Sequence, residues 1–176
     1  MGDIFEDWIK EHLSAFFGGV YDYGYQADYV IKSISKDYKD CDIYITGHSL
    51  GGYLAQRASY YLNFVLDEDN YNESLIGTVT FNSEPILASY HLNDELKGTL
   101  SSYNEIEKYG YRGEKNQRFI HNYHIKGDMM EKYLMSWLGC KLAGGSKALF
   151  EKPSPMSSVE AHKLDNFYPY VSSISY

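Results

Sequence analysis

Gly47, Ser49 and Gly51 stand in a Gly-x-Ser-x-Gly pattern inside the stretch Asp42-Ile43-Tyr44-Ile45-Thr46-Gly47-His48-Ser49-Leu50-Gly51-Gly52-Tyr53-Leu54-Ala55. A serine hydroxyl is a weak nucleophile until a turn exposes it and a neighbouring base takes its proton. A strand that runs into a sharp turn and leaves it as a helix does the exposing. Ile43 and Ile45 are β-branched, and Tyr44 and Thr46 also favour strands. After the turn, Leu50, Leu54, Ala58 and Tyr61 recur at helical spacing, with Ala55 and Leu62 beside them. The pattern predicts a nucleophile elbow in which Ser49 is strained and its Oγ is accessible. Side chains at Gly47 and Gly51 are expected to collide with the adjoining strand and helix. His48, inside the turn, is expected to point away from the serine. The Leu50 N–H opens the helix, where a free donor and the positive dipole end suit a developing oxyanion. The bland alternative is a glycine-rich strand-to-helix turn with no chemistry.

Such a serine needs a base, and the base needs an orienting acid. On α/β folds with this elbow the chain order is Ser, then Asp or Glu, then His. Of six histidines, His12 precedes the elbow, His91 lies in a polar excursion, and His121 and His124 sit on a predicted strand. His162 follows the last strand candidates, and the order selects it. Asp128 is the first carboxylate past the carboxyl end of the third predicted strand, the edge where parallel sheets gather their functional groups. Glu84, just after the second strand, is the runner-up, and Asp165 is too close to His162 to be placed independently. His121, His124 and Asp128 suggest a metal cluster at first sight. Strand residues three apart point to opposite faces, so no metal site is expected there.

The elements that must position these groups can be read in outline. The chain of 176 residues is expected to form a single domain, 1–176. Its net charge of −8 argues against nucleic-acid partners and strongly anionic membranes. No apolar run reaches membrane-spanning length, and the N-terminus lacks the basic and apolar regions of a signal peptide. Cys41 and Cys140 read as two free thiols, and the expected location is the cytoplasm. Helices are predicted over 3–17, over 26–38 with Ala27, Val30, Ile31 and Ile34 buried, and from Leu50 to about Val65. Strands are predicted at 42–46, 75–81 and 119–125. The helix between the first two makes a βαβ unit, so that pair should be parallel. Residues 82–117 read equally as a lid or as a surface excursion. Leu138–Ala143 and Lys147–Phe150 are candidate hairpin strands around Gly144-Gly145, and a last helix is expected near Lys163. Strand 42–46 carries apolar groups on both faces, the pattern of an interior strand needing a neighbour on each side. A homodimer is the favoured way to cover its second edge, with cover by the first helix as the alternative.

Ile45 to Ala55 resembles the signature of the class 3 (fungal-type) lipases of the α/β-hydrolase superfamily. Val79-Thr80-Phe81-Asn82-Ser83 is similar to that family's next strand and turn. Asn122-Tyr123 through Gly127-Asp128, and later His162, resemble its Asp and His positions. The likeness is nearest to a bacterial branch with largely undefined substrates. It implies an α/β-hydrolase-like parallel sheet flanked by helices and hydrolysis of acyl esters or lipids through Ser49, His162 and Asp128. That chemistry needs no cofactor. In the family, a strand ending in an Arg-Gly-Thr-like turn precedes the Asp-Trp segment and supplies a second oxyanion donor. Here Asp7-Trp8 arrives almost at once. The resulting expectation is an N-terminally short member with weak turnover. The alternative is a pseudo-hydrolase that serves as a binding or assembly subunit.

Overall fold

The computed structural model describes residues 23–62, 75–86, 120–135 and 142–173. The expected helix over 3–17, residues 87–117 of the excursion and Leu138 to Lys141 of the hairpin candidate lie outside them. A helix over 23–37 (α1) leads into β1 (Ile43–His48). Then come α2 (Leu50–Tyr60), β2 (Leu75–Phe81), β3 (Ile120–Lys126), a π-helical turn (Met130–Met135) and β4 (Gly145–Glu151). A short helix, α3 (Ser158–Ala161), and a 3-10 segment (Leu164–Ser173) follow.

The four strands form one parallel sheet in the order β1-β2-β3-β4. The fold is therefore α/β, with helices flanking a parallel sheet. Parallel pairing brings every carboxyl end to the same edge. There His48 pairs with Phe81, and Phe81 with Tyr123. Ser49, Glu84 and Asp128 consequently emerge side by side along the chain's exits from β1, β2 and β3.

The two-residue alternation of the strands divides the core. On one face, Ile31 of α1 and Ala58 and Leu62 of the α2 region pack on Ile43, with Ile45 and Tyr61 beside them. On the other face, Val79, Tyr123 and Ile125 receive Ala161 and Phe167 from the C-terminal segment. Each large apolar side chain so buried stabilises the fold by about 1.5–3 kcal/mol. Helices α1 and α2 are joined by a forked ion pair, with Arg57 Nε 2.9 Å from Asp28 Oδ1 and a terminal guanidinium nitrogen 2.6 Å from Oδ2. The Tyr25 ring lies over the guanidinium, 5.3 Å from it.

Between α2 and the centre of the sheet the interior is polar. Gln56, Ser59, Thr78, Thr80, Ser83 and Asn122 are all buried. Thr80 Oγ1 donates to Asn122 Oδ1 at 2.6 Å, and Asn122 Nδ2 donates to the carbonyls of Ala143 and Gly145. Gln56 Oε1 accepts the Ala143 N–H at 2.7 Å. The first strand of the candidate hairpin lies mostly outside the described residues, and its second is β4. Both main-chain groups of Ala143 are committed to side chains, and β4 starts at Gly145 as a parallel partner of β3. Gly144 itself has φ +76°, and a Cβ there would stand 2.5 Å from the Ile120 carbonyl oxygen, so only glycine fits.

Two apolar faces are more open than their sequence implies. Of the predicted buried face of α1, Ile31 is buried, but Val30 is 53% exposed and Ile34 37%. Tyr44 of β1 is 58% exposed, so β1 is not covered on both faces. Val30, Ile31, Ile34, Tyr44 and Leu54 line an open groove of about 580 Å³, which none of Ser49, Asp128 and His162 borders. No helix among the described residues is long and apolar enough to cross a membrane.

Candidate active site

Ser49 occupies the turn between β1 and α2 with φ 57° and ψ −126°, a conformation costly for a residue with a side chain. Four main-chain hydrogen bonds hold it there. Its N–H donates to the Phe81 carbonyl at 3.2 Å, and its own carbonyl accepts from the N–H groups of Gly52, Tyr53 and Glu84 at 2.9, 3.3 and 3.1 Å. The strain is thus imposed jointly by the start of α2 and the end of β2. Gly47 is required for the same packing, since a Cβ there would lie 2.1 Å from the Gly51 carbonyl oxygen.

Asp128 follows β3 after a glycine turn, Gly127, with φ +86°. Its side chain is fully buried. Asp128 Oδ1 accepts the N–H of Glu131 at 2.9 Å, which caps the turn behind it and fixes the carboxylate's orientation. Gly127 N–H donates to the Glu131 carboxylate in return. His162 follows α3, whose start is set by a capping box. Glu160 N–H donates to Ser157 Oγ, and Ser157 N–H to Glu160 Oε2.

The structure brings Ser49, Asp128 and His162 together. His162 Nδ1 lies 2.8 Å from Asp128 Oδ2, and His162 Nε2 lies 2.8 Å from Ser49 Oγ. A carboxylate can only accept, so Nδ1 carries the proton. Nε2 is then left free to accept from the serine hydroxyl. The imidazole is thus placed to take a proton from Ser49 and to share the resulting charge with Asp128. Glu84 takes no part. Its carboxyl is mostly buried, Oε2 has no hydrogen-bond partner, and burial pushes it up to about 7.

A family model described as Lipase (class 3) matches residues 6–134, a span that holds the elbow, β2, β3 and Asp128. The chain belongs to the class 3 lipase family. No curated protein matches it. Membership carries a lipase-like hydrolase character at the level of the family, with ester or lipid substrates.

Against this family background, one expectation about the elbow is corrected. A Cβ on Gly51 meets nothing within 4 Å, so its side chain would not collide with a neighbour. The constraint falls one residue later. A Cβ on Gly52 would stand 2.4 Å from Ser83 Oγ and 2.9 Å from Ser83 Cα. Gln56 reinforces this junction of α2 with the end of β2, donating to Ser83 Oγ at 2.7 Å and to the Glu84 carbonyl at 3.0 Å.

Sequence reasoning placed His48 in the elbow of this class 3 lipase site without a partner, and gave Asn82 no role. Buried Asn82, at φ +39°, accepts the Ile125 N–H and donates to the Ala161 carbonyl. His48 reaches the C-terminal segment, where its Nε2 lies 2.7 Å from the His162 carbonyl oxygen. Burial holds the His48 imidazole below the usual histidine range. A carbonyl only accepts, so Nε2 bears the hydrogen. The alternation of β1 and β2 carried a usable signal for His48. It pairs with Phe81 and so shares the face on which Val79 and Phe81 meet the C-terminal segment.

Proposed function

We propose that this chain is a serine hydrolase of carboxylic acyl esters. The observation that supports the reading best is the His162 imidazole held between Ser49 Oγ and Asp128 Oδ2 at 2.8 Å on each side. His162 takes the Ser49 proton as Oγ attacks the ester carbonyl. Asp128 keeps the ring in its Nδ1–H form and stabilises the imidazolium. The Leu50 N–H, first in α2, supplies one donor to the oxyanion. His162 then protonates the leaving alcohol, and the acyl group stays on Ser49. Water, deprotonated by the same imidazole, attacks the acyl-enzyme and releases the acid.

The test is covalent labelling of the protein with a fluorophosphonate, alongside hydrolysis of a short p-nitrophenyl ester. Ser49→Ala is expected to abolish labelling and to lower kcat by at least 10³-fold, on the scale of serine hydrolases that lose their nucleophile. Labelling and turnover that survive in Ser49→Ala would refute the assignment.

A further inference from the structure

The backbone that carries His162 is gripped from two directions at consecutive residues. Asn82 Nδ2 donates to the Ala161 carbonyl at 3.0 Å, and His48 Nε2 donates to the His162 carbonyl at 2.7 Å. The two donors come from the carboxyl ends of adjacent strands, β2 and β1. Asn166 adds a longer contact of 3.4 Å to the Ala161 carbonyl from within the C-terminal segment. Asn82 also reaches the other side of the site. Its Oδ1 accepts the Ile125 N–H at 2.9 Å, and its own N–H donates to the Tyr123 carbonyl at 2.9 Å. Asp128 N–H in turn donates to the Ile125 carbonyl at 3.0 Å. One buried side chain therefore ties the strand that delivers Asp128 to the residue preceding His162. His48 meets the same backbone next to the nucleophile, with its ring 4.9 Å from the ring of His162.

We infer that Asn82 and His48 form a clamp that sets the distance and angle of the His162 imidazole relative to Ser49 and Asp128. They are positioning residues, because their hydrogen bonds go to the main-chain carbonyls of His162 and Ala161 rather than to Ser49 Oγ or the His162 ring nitrogens. Their donors fix main-chain oxygens, and the short α3 that leads into His162 spans only four residues. A helix of that length holds little orientation of its own. Without the clamp, His162 pivots on its own backbone, and its two 2.8 Å hydrogen bonds lengthen together. Misplacement of a reacting group by about 1 Å costs on the order of 10²-fold in rate. The clamp acts through the position of the base, so the loss is expected on kcat.

This inference rests on the serine hydrolase reading, and the experiment separates the two. His48→Phe keeps the ring volume and removes the donor. His48→Gln places an amide N–H near the position of Nε2. Asn82→Asp keeps the acceptor for Ile125, tolerates the positive φ and removes the donor to Ala161. The expected result is a kcat about 10–100-fold lower in His48→Phe and Asn82→Asp with KM within two-fold, and recovery of most of the His48 loss in His48→Gln. The second readout needs no turnover. The His162 Nδ1–H proton, bonded to Asp128, gives a downfield proton resonance in the wild-type protein that is expected to broaden or vanish in both donor-less variants and to persist in His48→Gln. An inactive wild-type protein would remove the hydrolase reading while the resonance still tests the clamp. Folded His48→Phe and Asn82→Asp proteins with wild-type kcat, or with the resonance intact, would overturn it. Should Asn82→Asp fail to fold, the half-buried His48 pair of variants decides alone.

Discussion

Ser83 occupies the space that a side chain on Gly52 would need, its Cα 2.9 Å and its Oγ 2.4 Å from where that Cβ would stand. The contact is with backbone as well as with a hydroxyl, so rotation of Ser83 alone does not relieve it. Gly52→Ala is expected to destabilise the protein by about 1–3 kcal/mol, the usual cost of overpacking a tight contact. Gly51→Ala, pointing into open space, is expected to be neutral or stabilising by up to about 1 kcal/mol, because alanine loses less entropy in a helix. Urea midpoints of the two variants give the comparison. Equal effects would show that the Gly52–Ser83 contact is not the constraint.

Glu84 makes stability depend on pH. Burial raises its carboxyl to about 7 in the folded protein, against about 4.3 in an unfolded chain. The raised value means that the folded state keeps its proton while the unfolded state releases one. This contribution favours folding below about pH 4 and is progressively lost as pH rises to about 7. Glu84→Gln removes the titration. Its stability relative to wild type is expected to rise between pH 4 and pH 8, by on the order of 3–4 kcal/mol. A pH-independent difference between the two proteins in thermal or urea unfolding would contradict this account.

The Arg57–Asp28 pair is largely buried, with each side chain 12% exposed. Removing one partner strands the other charge. Asp28→Ala is expected to destabilise by about 3–5 kcal/mol, the range for breaking a buried pair from one side. Asp28→Leu combined with Arg57→Leu leaves no uncompensated charge, and its cost is expected to be less than the sum of the two single changes. A double-mutant cycle by urea unfolding checks it, and strict additivity would show that the two residues are not coupled.

Much of this fold was legible because its signals are local. The run Leu75-Ile-Gly-Thr-Val-Thr-Phe81 gives β2 its bounds without help from elsewhere. β1 runs two residues beyond the predicted end, since Gly47 and His48 continue the ladder against Thr80 and Phe81 although glycine reads as a turn. Ser49 stood out through its own neighbours, and Asp128 and His162 through chain order, which a parallel sheet translates into position at one edge. Asn82 had no such signal, and for His48 only its pairing with Phe81 hinted at the face it takes. Their partners, Ala161 and His162, lie 79 and 114 residues away, and only the packed C-terminal segment brings the carbonyls within reach. The polar layer around Gln56 and Asn122 was hidden for the same reason, because side-chain bonds to Ala143 leave no periodicity in the sequence.

The wide separation of Ser49 from its imidazole has a consequence in time as well as in space. Ser49 and His162 are 113 residues apart. Chains are synthesised at roughly 5–20 residues per second, and folding proceeds from the N-terminal side. Between the moment the elbow is made and the moment His162 is added, about 6–23 seconds pass. Throughout that interval Ser49 has no His162 to accept its proton. On the serine hydrolase reading proposed above, the nascent chain therefore carries Ser49 past any ester without its base, and the three side chains meet only when β4 and the segment behind it dock.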